Sequence, residues 1–184
     1  LLMRRSGDCD DSSVLYASML ENVGIRAALV DVPEHIFVMF DTGLKVRDRE
    51  LTGMDPELFV EREGSLWIPV ETTALGQPFH VAWRKGADLC RRWEGNEAFH
   101  VVDVMQASRR YPAAVYAARV PQDAAVPAMD EVEIASAVQG DLGVLATWRE
   151  EYLEQTYLAL LDGDTTPEDA LALARVYYLN QDYS

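Results

Sequence analysis

The stretch from Gly7 to Asp41, GDCDDSSVLYASMLENVGIRAALVDVPEHIFVMFD, decides the fold. In its first half Leu15, Met19 and Val23 recur every four residues with Val14 beside them, the spacing of one helix stripe, which predicts a helix over residues 10–23. Gly24 stops that helix, because glycine enters the left-handed backbone of a helix end without steric cost. The second half holds two short runs rich in β-branched and aromatic residues, Ile25 to Val32 and His35 to Asp41, parted only by Pro33 and Glu34. They read as neighbouring strands joined tightly.

Outward from this stretch, residues 44–58 carry charge, glycine and proline and read as a connecting excursion. Residues 59–61 and 66–71 then flank Arg62-Glu63-Gly64-Ser65 and read as a hairpin. Residues 79–93 have helical spacing in Val81, Leu89 and Trp93, with Gly86 as a point where the helix could break. Residues 99–104 read as either a strand or a helix start. Pro112, Pro121 and Pro127 among alanines mark a module boundary, placed near residue 125. The expected organisation is therefore a core over 1–125 and a helical region over 126–184. The sequence predicts an α+β fold in which a helix bearing a cysteine packs on a mainly antiparallel sheet, followed by that α-helical C-terminal region.

In the helical region, Glu131 to Leu161 is helix-rich, with possible breaks at Gly140 or Gly143, and Thr166-Pro167-Glu168-Asp169 suits a second helix start. The segment from Leu173 to Tyr183 resembles the first helix of a tetratricopeptide repeat through Leu173, Ala174, Tyr177 and Gln181-Asp182-Tyr183. A half repeat cannot bury its own apolar face, so that likeness implies further helices in a longer protein. The chain also opens at Leu1 as if interior to a longer gene product.

Composition narrows the function classes. The 184 residues are 49% hydrophobic and 26% charged, an ordinary globular balance with enough chain for one sizeable core. Lys and Arg number 16 against 31 Asp and Glu, a net charge of −15 that repels phosphate backbones and anionic lipid, so a nucleic-acid partner is not expected. No run of about 18 apolar residues is present, so no membrane span is expected. Two cysteines, Cys9 and Cys90, are too few for a disulfide framework. No organic cofactor is expected, since no Gly-rich phosphate loop sits between a strand and a helix.

Cys9 stands directly before a helix, where the N-terminal dipole favours the thiolate, the nucleophilic form. Asp8, Asp10 and Asp11 oppose that effect with comparable strength, about 0.3–1 kcal/mol for each exposed charge. A reactive Cys9 therefore needs a cation, which an adjacent imidazolium supplies. His35, at the start of a strand, is the candidate. Its orienting acid cannot be Asp41, because six residues of one strand span roughly 20 Å. Glu71, at the end of LWIPVE, is the best-placed acid on another strand. Asp8, Asp10 and Asp11 read as solvated capping residues rather than a calcium site, and no metal site is expected. Cys90 reads as a packing residue, and His80 and His100 as structural or surface residues.

These residues resemble the core of the transglutaminase-like superfamily, relatives of the papain-like cysteine proteases. The resemblance rests on Gly7 and Cys9 opening a helix, Gly24-Ile25 leading into a strand, His35 with Phe37, and Trp67 leading to Glu71. It covers residues 4–75. It implies Cys9 as nucleophile, His35 as general base and acid, and Glu71 as third member of a triad acting on peptide or protein amides. Water as second nucleophile makes such an enzyme a peptidase or deamidase, and an amine makes it a cross-linking transferase. Many members are exported from bacterial cells, which extends to this chain by likeness only. The acid is usually Asp, and the spacing from His35 to Glu71 exceeds the usual one, so residues 57–62 read as an insertion. The papain-type signature around the cysteine is absent. The Cys9 backbone N–H is the available oxyanion donor. The alternative is a catalytically inactive scaffold whose helical region recruits protein partners.

Overall fold

The first helix, α1 (Cys9–Asn22), begins one residue earlier than its apolar spacing indicates, because Asp8 caps it by accepting the Asp11 N–H at 3.1 Å. Such a cap contributes about 1 kcal/mol. At its other end the Gly24 N–H donates to the Glu21 carbonyl and the Ile25 N–H to the Leu20 carbonyl, with Gly24 at φ 83°. That is the Schellman closure expected of this glycine. The computed structural model describes residues 7–74, 76–111, 130–163 and 166–179.

The described residues form five strands: β1 (Ala27–Val32), β2 (His35–Lys45), β3 (Val60–Arg62), β4 (Ser65–Val70) and β5 (His100–Asp103). They form one curled antiparallel sheet in the order β3-β4-β2-β1-β5, and the fold is α+β. Pro33 and Glu34 make the two-residue link between β1 and β2, with Glu34 in the left-handed region at φ 61°. The Glu63-Gly64 link between β3 and β4 has both residues at positive φ, the twist that a two-residue hairpin favours. The excursion between β2 and β3 is two 3-10 turns, Val46–Thr52 and Pro56–Leu58.

Both faces of the sheet are covered, which explains why its strands read as nearly continuous apolar runs. Ala27 and Val38 pack on one face against Ala17 of α1. Val30, Phe37, Met39 and Trp67 pack on the other against Cys90 of α2 (Phe79–Trp93). The stripe of Leu15, Met19 and Val23 is not the buried face of α1. Met19 and Val23 are 61% and 69% exposed, whereas Ser13 and Ala17 are buried. Ser13 and Ala17, two positions from that stripe, let the helix approach the sheet closely, with Tyr16 and Leu20 partly buried beside them.

Gly86 does not break α2. A Cβ built there would lie 2.6 Å from both the carbonyl carbon and the oxygen of Pro69, so the glycine permits the helix backbone to touch β4. Residues 99–104 are both a strand and a helix start, since α3 (Val104–Arg110) follows β5 at once, capped by Asp103, which accepts the Gln106 N–H. Gly140 and Gly143 do not interrupt α4 (Glu131–Leu161), a single helix. Asp141 of α4 accepts the N–H groups of Phe79 and His80 at 3.0 Å each, capping α2 from another element. α5 (Pro167–Leu179) starts where its proline indicates. The boundary near residue 125 and the Gln181-Asp182-Tyr183 turn lie outside the described residues. No described helix is long and apolar enough to cross a membrane.

Gly86→Ala is expected to destabilise the protein by about 1–3 kcal/mol, the range for forced overpacking, because backbone rather than a flexible side chain blocks the added methyl. Urea unfolding of the two proteins measures it, and an unchanged midpoint would mean that α2 can move off β4 freely.

Candidate active site

His35 and Glu71 meet because β2 pairs with β4 in the register Val38 opposite Val70. Continuing that register places Glu71 opposite Phe37, diagonal to His35 on the same face, within reach of a long side chain. The His35 Nε2 to Glu71 Oε2 distance is 2.6 Å. The His35 ring also stacks on Phe37 with centroids 6.0 Å apart. The His35 and Glu71 side chains are 25% and 8% exposed, so the pair is largely shielded on the carboxylate side and reachable on the imidazole side.

Thr73 orients the carboxylate. Its N–H and hydroxyl both donate to Glu71 Oε1, at 2.8 and 2.7 Å. Burial pushes the Glu71 carboxyl up, but the two Thr73 bonds and the His35 contact together outweigh it and hold the group below its ordinary value. An ionised Glu71 accepts only, so His35 Nε2 carries the hydrogen and Nδ1 carries the lone pair of the neutral ring. The Glu71 backbone is fixed as well, its N–H donating to the Ala82 carbonyl of α2 at 3.0 Å.

Ser13 and Thr72 set the start of α1 beside this pair. The Ser13 hydroxyl donates to the Ile36 carbonyl at 3.2 Å, and its oxygen is 2.7 Å from the Thr72 hydroxyl, which is thereby the donor. Both side chains are buried. Four residues before Ser13, one turn up the helix, stands Cys9. Cys9 and His35 line one cavity of about 510 Å³. No hydrogen bond joins them; the Cys9 thiol donates to Asp10 Oδ1 at 3.5 Å. The structure thus brings His35 and Glu71 into direct contact and places Cys9 across the same cavity.

Sequence reasoning missed Thr73, Thr72 and Ser13 as positioning residues. The available signal was the hydroxyl pair directly after the candidate acid, matched by a serine on the helix of the candidate nucleophile. Asp8 is the helix cap of α1. Cys90 is buried, and burial followed by the neighbouring Glu94 pushes its thiol up to about 12, leaving it protonated near neutral pH. His80 lies 2.5 Å from Asp141 through Nδ1 and meets the Trp148 ring edge-on. Among the described residues no three His, Cys, Asp or Glu side chains converge to hold a metal ion. No family model, curated protein or solved structure matches the chain.

Because the Glu71 carboxyl is lowered in the folded protein, its contribution to stability is complete above the ordinary carboxylate range near pH 4 and is lost as pH falls through its folded value. Asp141 behaves alike: burial pushes it up, and the His80 and Phe79 bonds pull it lower by more. Unfolding free energy measured in urea from about pH 6 down to about pH 2 is expected to fall less steeply in Glu71→Gln than in the wild type. Parallel curves would mean that Glu71 is not held ionised by Thr73 and His35.

Proposed function

We propose that this chain is a cysteine-dependent acyl-transfer enzyme with a transglutaminase-like core, acting on peptide or protein amides through Cys9, His35 and Glu71. The observation that carries the reading is the 2.6 Å contact between His35 and Glu71, residues 36 apart in sequence, beside a cavity that Cys9 also lines. A base oriented by an ionised acid and a thiol at a helix N-terminus, drawn from three elements, is the arrangement nucleophilic catalysis needs.

In the proposed reaction His35 Nδ1 takes the Cys9 proton, and the sulfur attacks the amide carbonyl. The carbonyl electron pair moves to oxygen, which meets the backbone N–H groups at the start of α1. Collapse of that intermediate breaks the carbon–nitrogen bond, and His35 returns the proton to the departing amine. A thioester remains on Cys9. Water or a second amine then attacks the thioester, His35 accepting its proton and returning it to sulfur. Glu71 stays ionised throughout and stabilises the imidazolium.

A second reading, a catalytically silent scaffold, is favoured by one observation: the Cys9 thiol is bonded to Asp10 rather than to His35. The two readings separate on reactivity. The enzyme reading expects iodoacetamide to modify Cys9 faster than a model thiol at neutral pH. It also expects Cys9→Ala to lower turnover of a peptide amide by roughly 10³-fold or more. Labelling no faster than the model thiol, with turnover unchanged in Cys9→Ala, selects the scaffold.

A further inference from the structure

α2 carries no side-chain cap of its own. Its N-cap residue is Pro78, whose ring offers the helix no acceptor. The Pro78 carbonyl takes the Val81 and Ala82 N–H groups, which leaves those of Phe79 and His80 for a partner outside the helix. Asp141 of α4, 62 and 61 residues further along, takes both, one on each carboxylate oxygen. The His80 ring holds the same carboxylate through Nδ1 at 2.5 Å, and the pair is largely shielded, its side chains 21% and 16% exposed. Two turns along α4, Trp148 packs edge-on against His80 and Trp83 and carries the Arg84 guanidinium 4.1 Å over its ring. α4 is thus fastened to the first two turns of α2. The first of those turns also holds the candidate acid. Glu71 stands one residue past β4, beyond the paired residues of that strand, and gives its N–H to the Ala82 carbonyl at 3.0 Å.

We propose that Asp141 is a positioning residue of the candidate site, and that α4 through it controls the reactivity of Cys9. The proposal rests on the reading of Cys9, His35 and Glu71 as one unit and adds what regulates that unit. Asp141 touches no reacting atom. It acts through two backbone groups, the Ala82 carbonyl and the Glu71 N–H, on the carboxylate that orients His35. Small displacements suffice, since a misplacement of about 1 Å caused far from the chemistry costs up to about a hundredfold in rate. With α4 docked, the first turn of α2 is capped and Glu71 is held against His35. With α4 displaced, that turn loses two acceptors and Glu71 loosens, while the β2 and β4 register stays in place.

Amide hydrogen exchange and alkylation read the two ends of this chain of contacts separately. In Asp141→Ala, shown folded by circular dichroism, the Glu71 N–H is expected to exchange about tenfold faster than in the wild type, as followed by NMR. Iodoacetamide is expected to modify Cys9, identified by peptide mapping, about threefold or more slowly. Asp141→Asn, which keeps one acceptor oxygen, is expected to move both readouts the same way by less, and it replaces the alanine variant should that one not fold. Pro78→Asp, at an exposed position, supplies a local cap. Added to Asp141→Ala, it is expected to return both readouts toward the wild type, which a general loss of stability would not do. Unchanged Glu71 exchange, or Cys9 in Asp141→Ala reacting at the wild-type rate, overturns the proposal and leaves the nucleophile standing if wild-type Cys9 outpaces the model thiol. Slower alkylation that Pro78→Asp does not restore assigns the loss to a loosened fold and overturns it too. If wild-type Cys9 reacts no faster than the model thiol, the reading beneath the proposal falls, and the proposal with it.

Discussion

The antiparallel pairing of β2 with β4 is the constraint on which the site depends. With Val38 opposite Val70, His35 and Glu71 fall on one face of the sheet at neighbouring strand ends. A slip of one residue would turn Glu71 to the opposite face. The register is held by burial on both sides: Phe37, Met39 and Trp67 are sealed under α2, and Val38 is sealed under α1. Each such side chain contributes about 1.5–3 kcal/mol of burial, so a slipped register would expose several at once.

Two helices then fix the ends of that pairing. α2 reaches β4 closely enough for its Ala82 carbonyl to accept the Glu71 N–H, an approach that the absent side chain of Gly86 permits. α1 reaches β2 through Ser13 and Ala17, with Ser13 bound to both Ile36 and Thr72. Small or hydroxyl residues therefore stand wherever a helix must come near the sheet. Asp141 of α4 completes the set by capping α2, so α4 supports the element that holds Glu71.

Much of this was legible in the sequence. The strand pair around Pro33-Glu34, the hairpin around Glu63-Gly64, the Gly24 helix stop and the choice of Glu71 over Asp41 all follow from local spacing and turn chemistry, and each has its counterpart in the fold. What failed were readings that needed a neighbour. The inner face of α1 is carried by Ser13 and Ala17 with Tyr16 and Leu20 beside them, because hydropathy alone does not record how closely two backbones can pack. Gly86, Gly140 and Gly143 looked like interruptions, yet α2 and α4 run through them, since tertiary contact and helix length outweigh about 1 kcal/mol of propensity per glycine. The Asp141 contacts with Phe79 and His80 join residues 62 and 61 apart in the chain, whose pairing no local pattern announces.

The central claim is that Cys9, His35 and Glu71 act as one unit although only two of them touch. The most direct measurement is the rate of Cys9 alkylation in the wild type, in His35→Ala and in Glu71→Gln, with the labelled residue identified by peptide mapping. If the unit is real, both substitutions slow Cys9 by about tenfold or more, including Glu71→Gln, which has no contact with the sulfur. Cys9 reacting at one rate in all three proteins would contradict the account.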